Sequence, residues 1–151
     1  MKYKSSRNIV FSCQYHIIFC PKYRRKVLTG AVETRLKEIV LEVAKELMVD
    51  IIEMETDKDH IHILAGVHPQ LGVNEFVKKI KGRSSRLLRS EFPFLKTKLP
   101  TLWSNSYFVS TVGGAPLEVI KQYIENQQLS ERENERVKWQ RYTDSVNDAK
   151  S

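Results

Sequence analysis

The sequence predicts an α+β fold of the ferredoxin-like class, a two-layer sandwich of helices on an antiparallel four-stranded sheet. Two observations predict it: four segments are rich in β-branched and aromatic residues, and two segments between them carry apolar residues at helical spacing. Their order is strand, helix, strand, strand, helix, strand (βαββαβ), with one helix appended. We expect both sandwich helices to cover one face of the sheet and to leave the other for a ligand or another element.

A half-buried strand, a basic loop and an amphipathic helix form the first third of the chain. Residues 9–20 alternate between apolar side chains such as Tyr15 and Ile17 and more polar ones such as Gln14 and His16, which is typical of a strand. Residues 21–26 form the basic loop. A helix over about residues 32–48 is predicted from apolar residues at helical spacing, namely Leu36, Ile39, Val40, Val43 and Leu47.

A hairpin and a second helix are predicted next. Residues 49–56 and 60–67 are short β-rich runs on either side of a polar turn, residues 57–59. The second helix is indicated by a stripe of apolar residues, Val73, Phe76, Val77, Ile80 and Leu87.

The remaining elements are a loop over residues 92–100, a strand over 102–112 and a third helix over about 116–128. Gly113 and Gly114 end the strand, and Pro116 lies where a first-turn proline opens a helix. Residues 130–151 are polar. We therefore expect one domain over residues 1–129, which includes the third helix, followed by a polar C-terminal tail.

The charge balance is strongly positive. The 151 residues contain 25 Lys and Arg against 18 Asp and Glu, so the formal net charge is +7. Eight of the basic residues lie between residues 78 and 98, and residues 22–26 hold a second cluster. Basic side chains that contact phosphates release condensed counterions, so the clusters favour a nucleic-acid partner. A solvated helix face and a basic loop explain the same charges equally well.

Hydropathy excludes a membrane protein of the helical kind. No apolar stretch approaches the roughly 18 to 20 residues that a membrane-spanning helix needs, and no signal-peptide pattern follows the first residues. We expect a cytoplasmic protein without a membrane partner.

Two histidines stand two residues apart on the third predicted strand. Because side chains alternate along a strand, His60 and His62 share one face, whereas Ile61 and Ile63 share the other and must meet the helices. Two neutral imidazoles side by side can hold one metal ion. A pair of surface histidines on a half-solvated sheet is the alternative.

A tyrosine and a glutamine lie four residues apart on the third helix. Tyr123 and Gln127 therefore face the same way, with roughly 6 Å between them along the axis. A phenol and an amide oxygen could supply a nucleophile and a metal ligand. A packing tyrosine and a surface amide are the simpler explanation of the pair alone.

Nearly the whole chain resembles the single-tyrosine HUH transposases of bacterial insertion sequences, where HUH denotes histidine, hydrophobic residue, histidine. The motifs that carry the resemblance occur in order along the chain: Tyr15-His16, Lys22-Tyr23-Arg24-Arg25-Lys26-Val27-Leu28, Asp59-His60-Ile61-His62, Trp103-Ser104-Asn105-Ser106-Tyr107-Phe108 and Tyr123-Ile124-Glu125-Asn126-Gln127.

The resemblance implies a divalent metal held by His60, His62 and Gln127, with Tyr123 attacking single-stranded DNA to form a 5′-phosphotyrosine link. It implies Mg²⁺, with Mn²⁺ as the other plausible ion, because an amide oxygen, phosphate and water suit these ions. It also implies hairpins at the element ends as substrates, strand rejoining without ATP, and a homodimer in which the tyrosine helix of one subunit can act in the other's metal site.

Further side chains are expected to support the site. Asp59 could orient a histidine, and His16, on the polar parity of the first strand, could approach the site or DNA. Phosphate contacts are expected from the loop and from the basic side of the second helix, at Lys22, Arg24, Arg25, Lys26, Lys79, Arg83 and Arg86.

Two other functions remain compatible with the sequence. A non-catalytic nucleic-acid-binding module would use the same basic surfaces and a ferredoxin-like sheet. A domesticated HUH nuclease would cut host repeats without moving an element.

Overall fold

The computed structural model describes residues 4–6, 9–11, 13–112 and 117–126. Six strands and four helices are described, together with a 3₁₀ turn at Lys22–Arg24. In chain order they are β1 (Lys4–Ser6), β2 (Ile9–Phe11), β3 (Gln14–Phe19), α1 (Gly30–Glu46), β4 (Asp50–Asp57), β5 (His60–Gly66), α2 (Val73–Glu91), α3 (Phe94–Lys98), β6 (Phe108–Thr111) and α4 (Leu117–Asn126).

Strands β4, β5, β3 and β6 form one antiparallel sheet in that spatial order. The first and third strands of the βαββαβ unit, β3 and β5, are central, while β4 and β6 form the edges. This arrangement confirms the α+β, ferredoxin-like fold that the sequence predicts. Strands β1 and β2 pair separately as a two-stranded sheet.

The main core lies between one face of this sheet and helices α1 and α2. Ile17 of β3 and Ile61 and Ile63 of β5 are fully buried there, and Phe76 and Ile80 of α2 pack into the same cluster. Along β5 the buried and half-buried residues alternate without interruption. The histidines of β5 therefore face away from the core, as the period of two predicts.

The opposite face, which we call the histidine face, is partly covered. Ile18 pairs directly with His62 on one side and Phe108 on the other, so these three side chains form a row across β5, β3 and β6. Ile18 is fully buried and Phe108 is 3% exposed although neither points into the main core. Tyr123 of α4 packs its ring on Phe108, with the centroids 5.4 Å apart. Among the described elements, helix α4 thus packs on this side of the sheet through Tyr123.

Three predicted elements differ in detail from the structure. The strand predicted over residues 9–20 is divided into β2 and β3, which belong to different sheets. The loop predicted over 92–100 contains the short helix α3, with Pro93 at its N-cap. The strand predicted over 102–112 is ordered as a strand only at β6, because Trp103 forms an isolated bridge to Pro21 instead of joining the ladder.

Some predictions fall on positions that the structure does not describe. These are the glycine pair 113–114, Pro116, Gln127, the domain end at residue 129 and the polar tail 130–151. Within the described ranges, no helix combines the length and apolar character needed to cross a membrane.

Candidate active site

The β4–β5 hairpin sets the position of the first histidine. Within its turn, the Lys58 backbone N–H donates to the Asp57 carboxylate over 2.7 Å. His60 begins β5 immediately after the turn, opposite Asp57 in the register. The turn therefore brings His60 and His62 to the histidine face at the end of the sheet where the basic loop, residues 21–26, also lies.

Asp59 contacts two basic groups at once. The Nδ1 atom of His60 lies 2.9 Å from Asp59 Oδ1, and Arg24 Nε donates to Asp59 Oδ2 over 2.6 Å. Burial alone would raise the pKa of Asp59, but the hydrogen bonds with His60 and Arg24 outweigh it and hold the pKa below its ordinary value. Asp59 is therefore a carboxylate that fixes the ring of His60 by one nitrogen and leaves its Nε2 for another ligand.

His62 is paired with a third imidazole. Its Nε2 lies 2.9 Å from Nδ1 of His16 on the neighbouring strand β3, and the ring centroids are 5.2 Å apart. Burial lowers the pKa of His62, and the nearby His16 lowers it further. Since a neutral imidazole is the form that binds a metal, these surroundings favour the ligating state.

Tyr123 lies on the same face of the sheet but is fully buried. Besides the ring contact with Phe108, its hydroxyl is 3.4 Å from the Ser106 hydroxyl in the segment before β6. Phe108 and His62 lie two strand spacings apart across the row through Ile18, roughly 10 Å between backbones. The tyrosine helix and the two histidines thus share one surface.

A candidate cation group within the described residues is formed by Asp57, Asp59 and His60, whose ligand atoms lie within 4.8 Å of one another. It overlaps the predicted histidine site at His60. Each carboxylate in it also accepts a hydrogen bond, from Lys58 N–H at Asp57 and from Arg24 at Asp59. Gln127, the predicted amide ligand, lies outside the described residues.

The predicted phosphate-binding residues lie in two places. The basic loop reaches the histidine face through Arg24, and Arg25 and Lys26 of the same loop are exposed. Helix α2 packs on the opposite face of the sheet, where Lys79 and Arg86 are exposed and Arg83 donates to Glu46 of α1 over 2.7 Å. Arg24 is only 14% exposed in its side chain and is engaged within the protein. Lys22 anchors the loop through its backbone N–H, which donates to the Leu102 carbonyl.

The family model described as "Transposase IS200 like" matches residues 9–127, which is most of the chain. The chain belongs to the IS200-like transposase family. The match spans every element from β2 to the end of α4, and so includes both histidines and Tyr123.

Individual relatives agree with the IS200-like assignment. The ISDra2 transposase TnpA of Deinococcus radiodurans is 39% identical over 129 residues, which are 84% of this chain and 92% of the relative. The transposase for insertion sequence element IS200 of Salmonella typhimurium is 34% identical over 134 residues, 85% of this chain and 88% of the relative.

Solved structures share the fold of this IS200-like transposase. A crystal structure from Deinococcus radiodurans R1 has 39% sequence identity and a TM-score of 0.75, covering 82% of this chain and 97% of that one. A REP-associated tyrosine transposase bound to a REP hairpin has a TM-score of 0.53, with coverages of 81% and 68%. At 10% identity, this second structure shows a common fold alone.

Sequence reasoning missed two features of the site. It predicted a phosphate contact for Arg24 but did not predict that the side chain contacts Asp59 and the backbone of α4. It gave no role to Ser106, although the run from Trp103 to Phe108 is among the motifs that carry the family resemblance. The run from Trp103 to Phe108 was the sequence feature that could have pointed to Ser106. The structure relates this run to the tyrosine helix, because Tyr123 packs on Phe108.

Proposed function

We propose that this IS200-like transposase cleaves and rejoins single-stranded DNA through a covalent 5′-phosphotyrosine at Tyr123, with a divalent metal at His60, His62 and Gln127. The observation that carries the proposal is the placement of α4, with Tyr123, on the sheet face that bears both histidines. Members of the family are transposases, so chemistry at a DNA phosphodiester is the activity to explain.

The donor set fits a divalent cation. His60 is held through Nδ1 by Asp59, the arrangement common among histidine ligands, and the lowered pKa of His62 keeps its imidazole neutral. With Gln127 as an oxygen ligand, Mg²⁺ is favoured and Mn²⁺ is the alternative. Such an ion, when bound, neutralises charge on the scissile phosphate and orients it for in-line displacement.

The bonds exchanged are those of a transesterification. The Tyr123 phenol oxygen forms a bond to phosphorus as the bond to the 3′ oxygen breaks, giving a 5′-phosphotyrosine and a 3′-hydroxyl. The phenol loses its proton and the departing 3′ oxygen gains one. Attack by a 3′-hydroxyl on the phosphotyrosine reverses the step, so rejoining needs no ATP. The Ser106 hydroxyl lies 3.4 Å from this phenol oxygen.

The proposed substrate is a hairpin-bearing single strand at the ends of an insertion sequence. A protein of the same fold has been solved with a hairpin bound, which supports this class of ligand. The exposed residues Arg25 and Lys26 supply positive charge in the same loop as Arg24, which contacts Asp59. We further propose a homodimer; the structure describes α4 against its own chain, and an exchanged helix would use the same contacts from a partner.

The decisive experiment is a denaturing-gel assay with hairpin DNA strands, Mg²⁺ or Mn²⁺, and a label at one end. A 3′-label should migrate with the protein, whereas a 5′-label should not, because the 5′ phosphate of the downstream fragment is the group attached. Tyr123→Phe should abolish the adduct while keeping the ring packed on Phe108. Tyr107→Phe, which removes a phenol that donates to Asn74, is the matched control and should keep it.

His60→Ala and His62→Ala should each abolish the adduct and weaken Mn²⁺ binding measured by titration calorimetry. An adduct of full yield from Tyr123→Phe would refute the nucleophile. Tight DNA binding by the unmodified chain without any cleavage in either metal would instead favour a non-catalytic binding module. The complete burial of Tyr123 is the observation that favours this second candidate.

A further inference from the structure

We propose that Arg24 is a positioning residue that fixes the tyrosine helix α4 on the histidine face by joining the backbone of Ile124 and Glu125 to Asp59 and, through Asp59, to His60. The inference rests on the proposed function, because the position of α4 affects catalysis only if Tyr123 is the nucleophile. It does not require Arg24 to touch DNA or metal.

One guanidinium makes three contacts with two separate elements. Arg24 Nε donates to Asp59 Oδ2 over 2.6 Å, and Nη1 donates to the carbonyl oxygens of Ile124 and Glu125 over 2.9 and 3.2 Å. The other oxygen of Asp59 is 2.9 Å from His60 Nδ1. An unbroken series of hydrogen bonds therefore runs from α4 to the first histidine.

The location of the contacts suits a cation. Carbonyl oxygens carry partial negative charge, so the guanidinium makes charge-assisted hydrogen bonds with those of Ile124 and Glu125. The side chains of Arg24 and Asp59 are 14% and 9% exposed, and charges so far removed from water must be paired to be tolerated. Removing Arg24 or Asp59 would leave the other charge buried without this partner, which is energetically unfavourable. The link therefore depends on both residues.

The backbone of the basic loop is shaped to aim this side chain. Tyr23 and Arg24 both adopt left-handed conformations, with φ of 58° and 50°, which are uncommon for residues other than glycine. The loop is held in this shape by hydrogen bonds from Lys22 N–H to the Leu102 carbonyl and from Arg24 N–H to the Pro21 carbonyl, both 2.8 Å. Backbone strain of this kind persists only where surrounding contacts enforce it, and it concentrates at functional positions.

Arg25 provides a control from the same loop. It has an ordinary φ of −66° and an exposed side chain, and its removal changes the net charge by the same amount. Lysine at position 24 is the informative conservative change. Its single ammonium cannot reproduce a planar fork that serves a carboxylate and two carbonyl groups together.

The test compares Arg24→Ala, Arg24→Lys and Arg25→Ala in the full chain by amide hydrogen exchange and by adduct formation. In Arg24→Ala, exchange in residues 117–126 should accelerate by about tenfold or more, while α1 and β5 stay protected. Arg24→Lys should fall between this variant and the unmodified protein. Arg25→Ala should leave the exchange of α4 unchanged.

The kinetic arm separates positioning from DNA binding. At saturating hairpin DNA, Arg24→Ala should lower the maximal rate of adduct formation by about tenfold or more, with the half-saturating DNA concentration within about twofold. Equal exchange of α4 in Arg24→Ala and Arg25→Ala would overturn the inference, as would an increased maximal rate. If Arg24→Ala does not fold, Arg24→Lys decides by the same exchange criterion.

The two arms also separate this inference from the proposed function. If the unmodified protein forms no adduct, the proposed function fails, and the part of the inference that concerns catalysis fails with it. The docking of α4 by Arg24 is still decided by hydrogen exchange, which needs neither DNA nor metal.

Discussion

At the scale of single residues, the most unusual group on the histidine face is the His16–His62 pair. Two imidazoles 2.9 Å apart cannot both carry a proton on the facing nitrogens, so one donates and the other accepts. Burial and the charge of a protonated His16 both disfavour a proton on His62. These surroundings therefore keep the His62 imidazole neutral below the pH at which an ordinary histidine protonates, while its Nε2 is engaged by His16.

A pH prediction follows from the lowered pKa of His62. Because the unfolded chain takes up a proton near pH 6.5 and the folded chain does so only at lower pH, this group's contribution to stability is present above pH 6.5 and is lost as the pH falls from there to the folded pKa. Replacing His16 with Ala should raise the pKa of His62, since it removes a neighbouring charge and admits water.

NMR titration of the histidine Cε1 protons measures this directly. His68→Ala is the control, since His68 contacts the backbone of Gln70 at the far end of β5. A His62 pKa that is unchanged or lower in His16→Ala would contradict the account.

At the scale of elements, the end of α1 offers a stability prediction. Val49 N–H donates to the Ala44 carbonyl over 2.8 Å, and Met48 adopts a left-handed φ of 56°, an arrangement that usually employs glycine. Met48 is 89% exposed, so its side chain contributes little packing. Met48→Gly should raise the free energy of unfolding by about 0.5–1 kcal/mol, because relief of the left-handed strain exceeds the added entropy of the unfolded chain.

Chemical denaturation of Met48→Gly and Met48→Ala tests that reasoning. Alanine removes the same side chain but keeps its Cβ, so it should leave the unfolding free energy within about 0.5 kcal/mol of the starting value. An equal gain from both substitutions would point to the loss of an exposed apolar side chain instead.

The elements that the sequence predicts correctly are those that bury one face. The hairpin of β4 and β5 and the apolar stripe of α2 follow directly from side-chain period, and the placement of His60 and His62 away from the core follows with them. Alternation fails in β3, where Ile17 and Ile18 are both buried; Ile18 lies beside Phe108, on which Tyr123 of α4 packs.

Tertiary contacts account for what sequence pattern could not predict in the site. Trp103 leaves the expected strand because its ring packs edge-on against Phe19 and its indole N–H donates to Ser84 over 2.9 Å. Arg24 has no sequence feature that distinguishes it from its basic neighbours. Its role depends on Asp59 and Ile124, which lie 35 and 100 residues further along the chain.

At the scale of the whole molecule, the two basic clusters differ in their relation to the histidine face. The loop cluster adjoins His60 through Asp59, whereas α2 is separated from the histidine face by the sheet itself. Within α2, Arg83 is already paired with Glu46 of α1. The affinity for DNA bound at the proposed site should therefore depend more on the basic residues of the loop than on those of α2.

This difference predicts distinct salt dependences for matched charge removals. Arg25→Ala and Lys26→Ala should each weaken binding of a hairpin strand and reduce the slope of log affinity against log salt by about 0.7, the value expected for one lost phosphate contact on a single strand. Lys79→Ala and Arg86→Ala remove charges from α2 that are also exposed. They should leave the slope unchanged within error, because long-range attraction at physiological salt is screened over about 8 Å.

Fluorescence anisotropy with labelled hairpin DNA at several salt concentrations, without divalent metal so that no adduct forms, measures all four variants. A larger loss of DNA affinity in the two α2 variants than in the two loop variants would indicate that the DNA runs along the helical layer. The strand would then have to pass the edge of the sheet to reach the histidines, and the geometry proposed for the bound DNA would be wrong. Equal losses in both pairs would mean that the DNA contacts both sides of the sheet, with the same consequence for the proposed path.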